Sequence, residues 1–224
     1  MYKKSLAFWG CKKRPLEAFG LFAFFYALNI LLISILPEWS LVKNSQWPYT
    51  TDLIITIVDV TTLLLLLYVL KKRNFYLSSI SIQKSYITLI VFAILAFVII
   101  FISDNIYDHF YPKPPLGALP IEEKVITFFV EFIIAVISGP IFEELLFRGL
   151  LLKYVFTDRP ILGLIISTSL FILVHPSGDW STIWYHGVPG MVLGIVYIYT
   201  KSIKVPIAVH IALNFVSHIK LKFF

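Results

Sequence analysis

The chain is expected to fold as an all-α, polytopic membrane bundle of about seven transmembrane helices, seven to eight in all. Three observations lead there. Of 224 residues, 58% are hydrophobic and only 14% charged, against roughly 45–50% and about 25% in a soluble domain; mean hydropathy is +0.85. The apolar residues gather in segments close to the roughly 20 residues that cross a bilayer as a helix. The charges sit beside those segments instead of along one polar face, which is the pattern of membrane topology and speaks against nucleic acid as a partner despite a net charge of +6. Composition excludes a soluble enzyme, a disordered regulator and a disulfide-built secreted module, and the single cysteine, Cys11, leaves no intrachain disulfide. The apolar runs lack the period-two alternation of a membrane barrel.

Seven segments can be marked, at about 19–36, 53–70, 86–103, 125–152, 161–177, 184–200 and 205–219. The first follows a basic stretch, as in a signal peptide, but it ends in Leu36-Pro37-Glu38-Trp39 without a small-x-small cleavage site and reads as a retained helix. The second is interrupted by Asp59, with Thr56, Thr61 and Thr62 near enough to satisfy it, so it is read as a packing polar group. Between segments lie Pro37, Pro48, the Pro112 to Pro115 stretch, Pro160, Pro176 and Pro206. Trp39, Trp47, Trp180, Trp184 and Tyr185 fall at segment ends, where aromatic side chains anchor at the interface.

Alternating the segments from an inside N-terminus divides the 19 Lys and Arg into 13 inside, five outside and Arg148 within a span. The positive-inside rule then gives a multi-pass protein of the cell membrane with a cytoplasmic N-terminus.

The fourth segment carries residues that lipid penalises. Glu131, Glu143, Glu144 and Arg148 would each cost about 2.5–3.5 kcal/mol at a helix centre. Glu144 and Arg148 are four apart, share a face and can pair; removing either would strand the other in a low dielectric. Glu143 lies about 100° round the helix from Glu144 and is not the natural partner in that pair. Desolvation favours its neutral form and a nearby cation its charged form. A carboxyl so balanced can take a proton near neutral pH, as a general base must. The plainer alternative is a protonated glutamate bonded to a neighbouring helix. Residues 124–156 would span roughly 50 Å if straight, more than the roughly 30 Å hydrocarbon core. A break at Gly139-Pro140 is therefore expected, with Glu143 near the start of a half-helix.

The later segments add histidines. Phe171 and His175 share one face, as do His210 and Asn214. Glu143, His175 and His210 fall within a few turns of the midplane, so they can face one cavity. His109 is placed in an outside loop, His218 near the C-terminus and His186 at the head of a span beside Gly187, each with little claim to direct chemistry.

Glu143-Glu144-x-x-x-Arg148, then Phe171-x-x-x-His175, then His210-x-x-x-Asn214 resembles the three-motif signature of the CPBP intramembrane proteases, the family of CAAX prenyl endopeptidases and of bacteriocin-processing and immunity-associated bacterial proteins. Phe142, Phe147-Arg148-Gly149, Gly190 and Gly194 match the flanks. The resemblance covers about residues 125–220. It divides a single transmembrane domain, 1–224, into variable N-terminal helices over 1–120 and a catalytic core over 121–220. It implies that Glu143 activates a water for attack on a peptide carbonyl, that His175 helps hold that water, and that His210 and Asn214 bind the water or stabilise the oxyanion. Glu144, Arg148 and Phe171 would support the site. Glu143, His175 and His210 would also suit zinc with an open position, but there is no H-E-x-x-H helix, and a site with no obligatory metal is slightly favoured. The substrate would be a peptide or membrane-protein segment in the bilayer, with roles in bacteriocin or pheromone processing or in self-immunity. A Lys-, Ile- and Phe-rich, alanine-poor chain points to an AT-rich bacterium and away from prenylated substrates. Two other readings compete: a non-catalytic immunity or signalling partner of the same family, and a proton-coupled transporter in which Glu and His form a relay. Oligomeric state is not legible.

Overall fold

A computed structural model describes residues 14–35, 50–77, 85–111, 128–175 and 181–223. The described chain is helical throughout, with no strand among these residues. Seven helices follow one another: α1 (Pro15–Ile35), α2 (Thr50–Lys72), α3 (Tyr86–Phe110), α4 (residues 128–155), α5 (Pro160–Leu173), α6 (Ser181–Thr200) and α7 (Lys204–Phe223). They match the seven apolar segments one for one. The all-α membrane bundle is the fold. His109 belongs to the last turn of α3 and not to a loop. Cys11, Trp39, Trp47 and Trp180, and the prolines at 37, 48, 112, 114, 115 and 176, lie outside the described residues.

By length and composition α1, α2 and α3 are apolar enough to cross a membrane. Their outer faces show why the chain needs lipid as its solvent. On α3 alone Ile87, Ile90, Val91, Ile94, Leu95, Val98, Ile99 and Ile102 stand exposed, far more apolar surface than water tolerates in one patch. Of the other four helices, α4 carries Glu143, Glu144 and Arg148, α6 His186 and α7 His210.

Helix α4 is the axis of the bundle. Its first part packs on α2 and α7, its last part on α1 and α5, and α6 touches its lower turns. One apolar cluster joins α1, α2, α4 and α5 through Phe25, Leu66, Leu146, Phe147, Leu151 and Phe171; a second joins α3, α6 and α7 through Ile100, Leu193, Val209 and Leu213. Helices α5 and α6 approach closely at Gly194, where a Cβ would come within 2.3 Å of Leu164 Cδ1.

The Gly139-Pro140 step does not break α4. The helix changes winding instead: residues 132–138 and 145–155 follow i→i+5 hydrogen bonding, with an α turn at Gly139–Glu144 between them. Wider winding absorbs a proline by shifting which carbonyl goes without a partner, so the expected half-helix is replaced by a continuous one, with Glu143 at the end of the α turn.

The ends of the bundle differ. At one, Arg14 donates to Arg73 O (2.5 Å) and Arg73 pairs with Glu17 (2.9 Å). There Lys153 and Tyr154 hold the Tyr76 backbone, Tyr197 donates to Leu77 O, and positive φ at Asn74 and Lys201 turns the chain out of α2 and α6. At the other, Tyr107 donates to Ser181, Trp184 to Ser103 and Lys220 to Asn105. Arg14, Lys71, Lys72, Arg73, Lys153, Arg159, Lys201 and Lys204 gather at the first end; Lys220 and Lys222 are at the second.

Candidate active site

The three motifs come together. Glu143, on the α turn of α4, has Oε1 3.4 Å from His175 Nε2 and Oε2 3.8 Å from His210 Nε2. His175 lies just past the end of α5, and His210 is in the second turn of α7. Each ring is oriented by its other nitrogen. His175 Nδ1 is 2.8 Å from Phe171 O; a carbonyl only accepts, so Nδ1 carries the hydrogen. His210 Nδ1 is 3.0 Å from Glu144 Oε1, which already faces Arg148 and accepts in the same way. In their neutral forms both histidines therefore turn an Nε2 lone pair towards Glu143.

Glu144 and Arg148 pair as their spacing requires, 2.9 Å apart and both buried. Arg148 also donates to Gly190 O at 3.0 Å, tying α4 to α6, and its guanidinium lies 5.0 Å from the centre of the Phe171 ring. Phe171 packs edge-on against Phe147 and lies within 4.7 Å of the His175 ring and 6.2 Å of the His210 ring. The support of the site is one connected set of side chains.

A cavity of about 370 Å³ opens on this centre. Glu143, Phe171, His175, His210 and Asn214 line it, and it runs along α7 to Ser217 and His218 and across to Asp104, Tyr185 and His186. A second, of about 320 Å³, lies on the other flank between α1, α2 and α4, and shares Ile134, Gly139, Glu143 and His175 with the first. Glu143 thus faces space on both sides.

Asn214 lines the first cavity, and its Nδ2 donates to Ala135 O at 2.7 Å. Asp59 is buried, but its partners are not threonines: Asn29 donates to Oδ1 at 3.3 Å and Ser138 to Oδ2, while Thr56 bonds its own helix at Asp52 O. The correction is geometric, since Asn29 and Ser138 come from neighbouring helices.

His186 and His218 carry more than sequence spacing suggests. The His186 ring stacks on that of His175 at 4.4 Å and 16°. His218 is buried against Phe128 and Phe132 and lines the first cavity. His186 shares no motif spacing with His175; its position in the first turns of α6, where α6 meets α5, is the one signal that could have placed it.

The donor set of Glu143, His175 and His210, with both Nδ1–H groups bonded to oxygen, is of a kind that suits zinc. At the spacing seen here, no three His, Cys, Asp or Glu side chains among the described residues form a group that could hold an ion.

The chain is thus a helical membrane bundle in which a carboxylate and two histidines converge beside a cavity, and two likenesses to known proteins bear on it. Residues 125–216 match the Rce1-like family, described as type II CAAX prenyl endopeptidase Rce1-like. The chain is also 26% identical over 204 residues to the membrane-embedded CAAX protease MroQ of Staphylococcus aureus (strain USA300), covering 84% of this chain and 80% of that protein. No solved structure matches. The two likenesses support membership of the CPBP family and a membrane protease of the CAAX type.

Proposed function

We propose that the chain is an intramembrane endopeptidase in which Glu143 activates a water. The observation that carries this reading is the approach of the His175 and His210 Nε2 atoms to the two oxygens of Glu143 beside a cavity. A water held there donates one hydrogen to Glu143 and the other to a histidine Nε2. Its lone pair is then free to attack a peptide carbonyl, and Glu143, having taken the proton, passes it to the leaving amine. Asn214, on the same face of α7 as His210, is the candidate donor to the tetrahedral oxyanion; His210, whose Nδ1–H is given to Glu144, can join it only with Nε2 protonated. In the low dielectric of a membrane bundle each such donor counts for more than it would in solvent.

The substrate class is a peptide or membrane-protein segment, and the basic end of the bundle, with the N-terminus, faces the cytoplasm of a bacterium. Bacteriocin or pheromone processing and self-immunity are the pathways this chemistry would serve. The test is cleavage of candidate peptides by the purified protein in detergent. Glu143→Gln keeps shape and hydrogen bonding but cannot take the proton, so cleavage is expected to vanish with folded yield unchanged. Wild-type cleavage by this variant would sink the mechanism. A non-catalytic partner would keep its protective or partner-binding effect in both Glu143→Gln and Asn214→Ala. A proton relay would tolerate Asn214→Ala and fail with Glu143→Gln.

A further inference from the structure

Pro140 has no N–H, so a carbonyl one turn back loses its donor. The local winding says which. Gly139 donates to Ile134 O, five residues back instead of four; the same step taken at position 140 falls on Ala135 O. Farther on, Leu145 donates to Ile141 O in ordinary α fashion. Ala135 is exposed along the wall of the first cavity, where its carbonyl has no backbone donor and, at membrane depth, must find one in a side chain or in the cavity. Ala135 O is satisfied, and from another helix: Asn214 Nδ2 lies 2.7 Å away.

We propose that Asn214 stands in for the N–H that Pro140 lacks, and by doing so positions Glu143. The residues concerned are close-set. Glu143 is three residues past Pro140, and His210 is one turn before Asn214 on the same face of α7. The amide therefore locks α7 to α4 in the register that brings His210 Nε2 to Glu143. It is a positioning contact, distinct from donation to the oxyanion, for which the amide's second N–H remains. The effect on turnover rests on the protease reading above; the replacement of a missing backbone donor does not.

The two roles separate in a double-mutant cycle. Pro140→Ala returns an N–H to position 140, so Ala135 O regains a backbone donor and Asn214 becomes dispensable to it. Wild type, Asn214→Ala, Pro140→Ala and the double variant are purified full-length in detergent. For each, kcat and KM on a cleaved peptide and the melting temperature are measured. Asn214→Ala alone is expected to lower the melting temperature by a few degrees and kcat by at least about tenfold, with KM little changed. In the Pro140→Ala background, both losses are expected to shrink, that in kcat by about tenfold or more. A kcat loss that shrinks by less overturns the positioning role and leaves Asn214 an oxyanion donor. If no peptide is cleaved, the protease reading fails but the melting temperatures still decide: a loss undiminished beside Pro140→Ala overturns the proposal, and a loss that disappears supports it. Pro140→Ser also restores the N–H and serves where Pro140→Ala does not fold.

Discussion

His210 Nδ1 meets Glu144 Oε1 at 3.0 Å, and the same oxygen faces Arg148 Nη1 at 2.9 Å. One buried carboxylate oxygen thus joins the guanidinium that anchors α4 to α6 with the imidazole that α7 brings to the centre. Sequence spacing accounts for the Arg148 contact only. The His210 contact selects the neutral tautomer of that ring and leaves an Nε2 lone pair towards Glu143.

Substitution at Glu144 should therefore cost both stability and turnover. Glu144→Gln leaves the buried Arg148 charge without its counter-ion, a loss of about 3–5 kcal/mol, and folded yield should fall. What does fold should turn over slowly, because an amide can present either its oxygen or its NH2 to Nδ1 and no longer fixes one His210 tautomer. Arg148→Ala should lower yield by a similar amount, since it strands Glu144. Detergent-resistant folded fraction and kcat per folded molecule check both. Normal yield from either variant would remove the ion pair as a structural element.

A second expectation concerns His175, whose ring meets both Phe171 at 4.7 Å and His186 at 4.4 Å. Aromatic contacts of this kind contribute about 0.5–1.5 kcal/mol beyond burial. They also restrict where Nε2 can point. His186→Ala should free the ring and reduce kcat, while His186→Phe keeps a stacked ring and should lose far less. Equal losses in the two variants would show that the His186 nitrogens matter and not the stack.

These contacts mark what the sequence could and could not tell. The seven helices were legible because hydropathy and span length are one-dimensional properties, and lipid imposes them directly. Glu143, Glu144 and Arg148 were legible because a charge inside a span is anomalous wherever the rest of the chain lies. Partners across helices were not. The Asn29–Asp59–Ser138 set, the His175–His186 stack and the Asn214–Ala135 bond all depend on which helix faces which, and no local period records that. Gly139-Pro140 misled for a related reason. A proline announces a missing donor, but whether the helix breaks or rewinds depends on whether another helix supplies one.

Orientation gives a third test. The segregation of basic residues to one end of the bundle predicts that reporters fused after residues 75, 156 and 202 are cytoplasmic. Those after residues 45, 110 and 180 should be external. Residues 75 and 110 are the sharpest pair, since they bracket α3, the most lipid-exposed helix. If both report the same side, α3 does not cross and the alternating arrangement is wrong.

The final prediction concerns metal, and it turns on the two Nε2 lone pairs. Facing one carboxylate at 3.4 and 3.8 Å, they need a proton, a water hydrogen or a cation between them and the glutamate oxygens, because lone pair and carboxylate repel. A water hydrogen suffices for peptide hydrolysis, and the expected result is cleavage unchanged after exhaustive chelation. The same lone pairs with both Nδ1–H groups bonded would also serve an ion, so the experiment discriminates. If chelation abolishes cleavage and zinc restores it, Glu143, His175 and His210 become ligands. The water would then be activated by the ion, and Glu143→Gln would lower zinc content along with activity. If chelation has no effect, Glu143→Gln should abolish cleavage while metal content stays at background, and the proton taken by Glu143 is the one that matters.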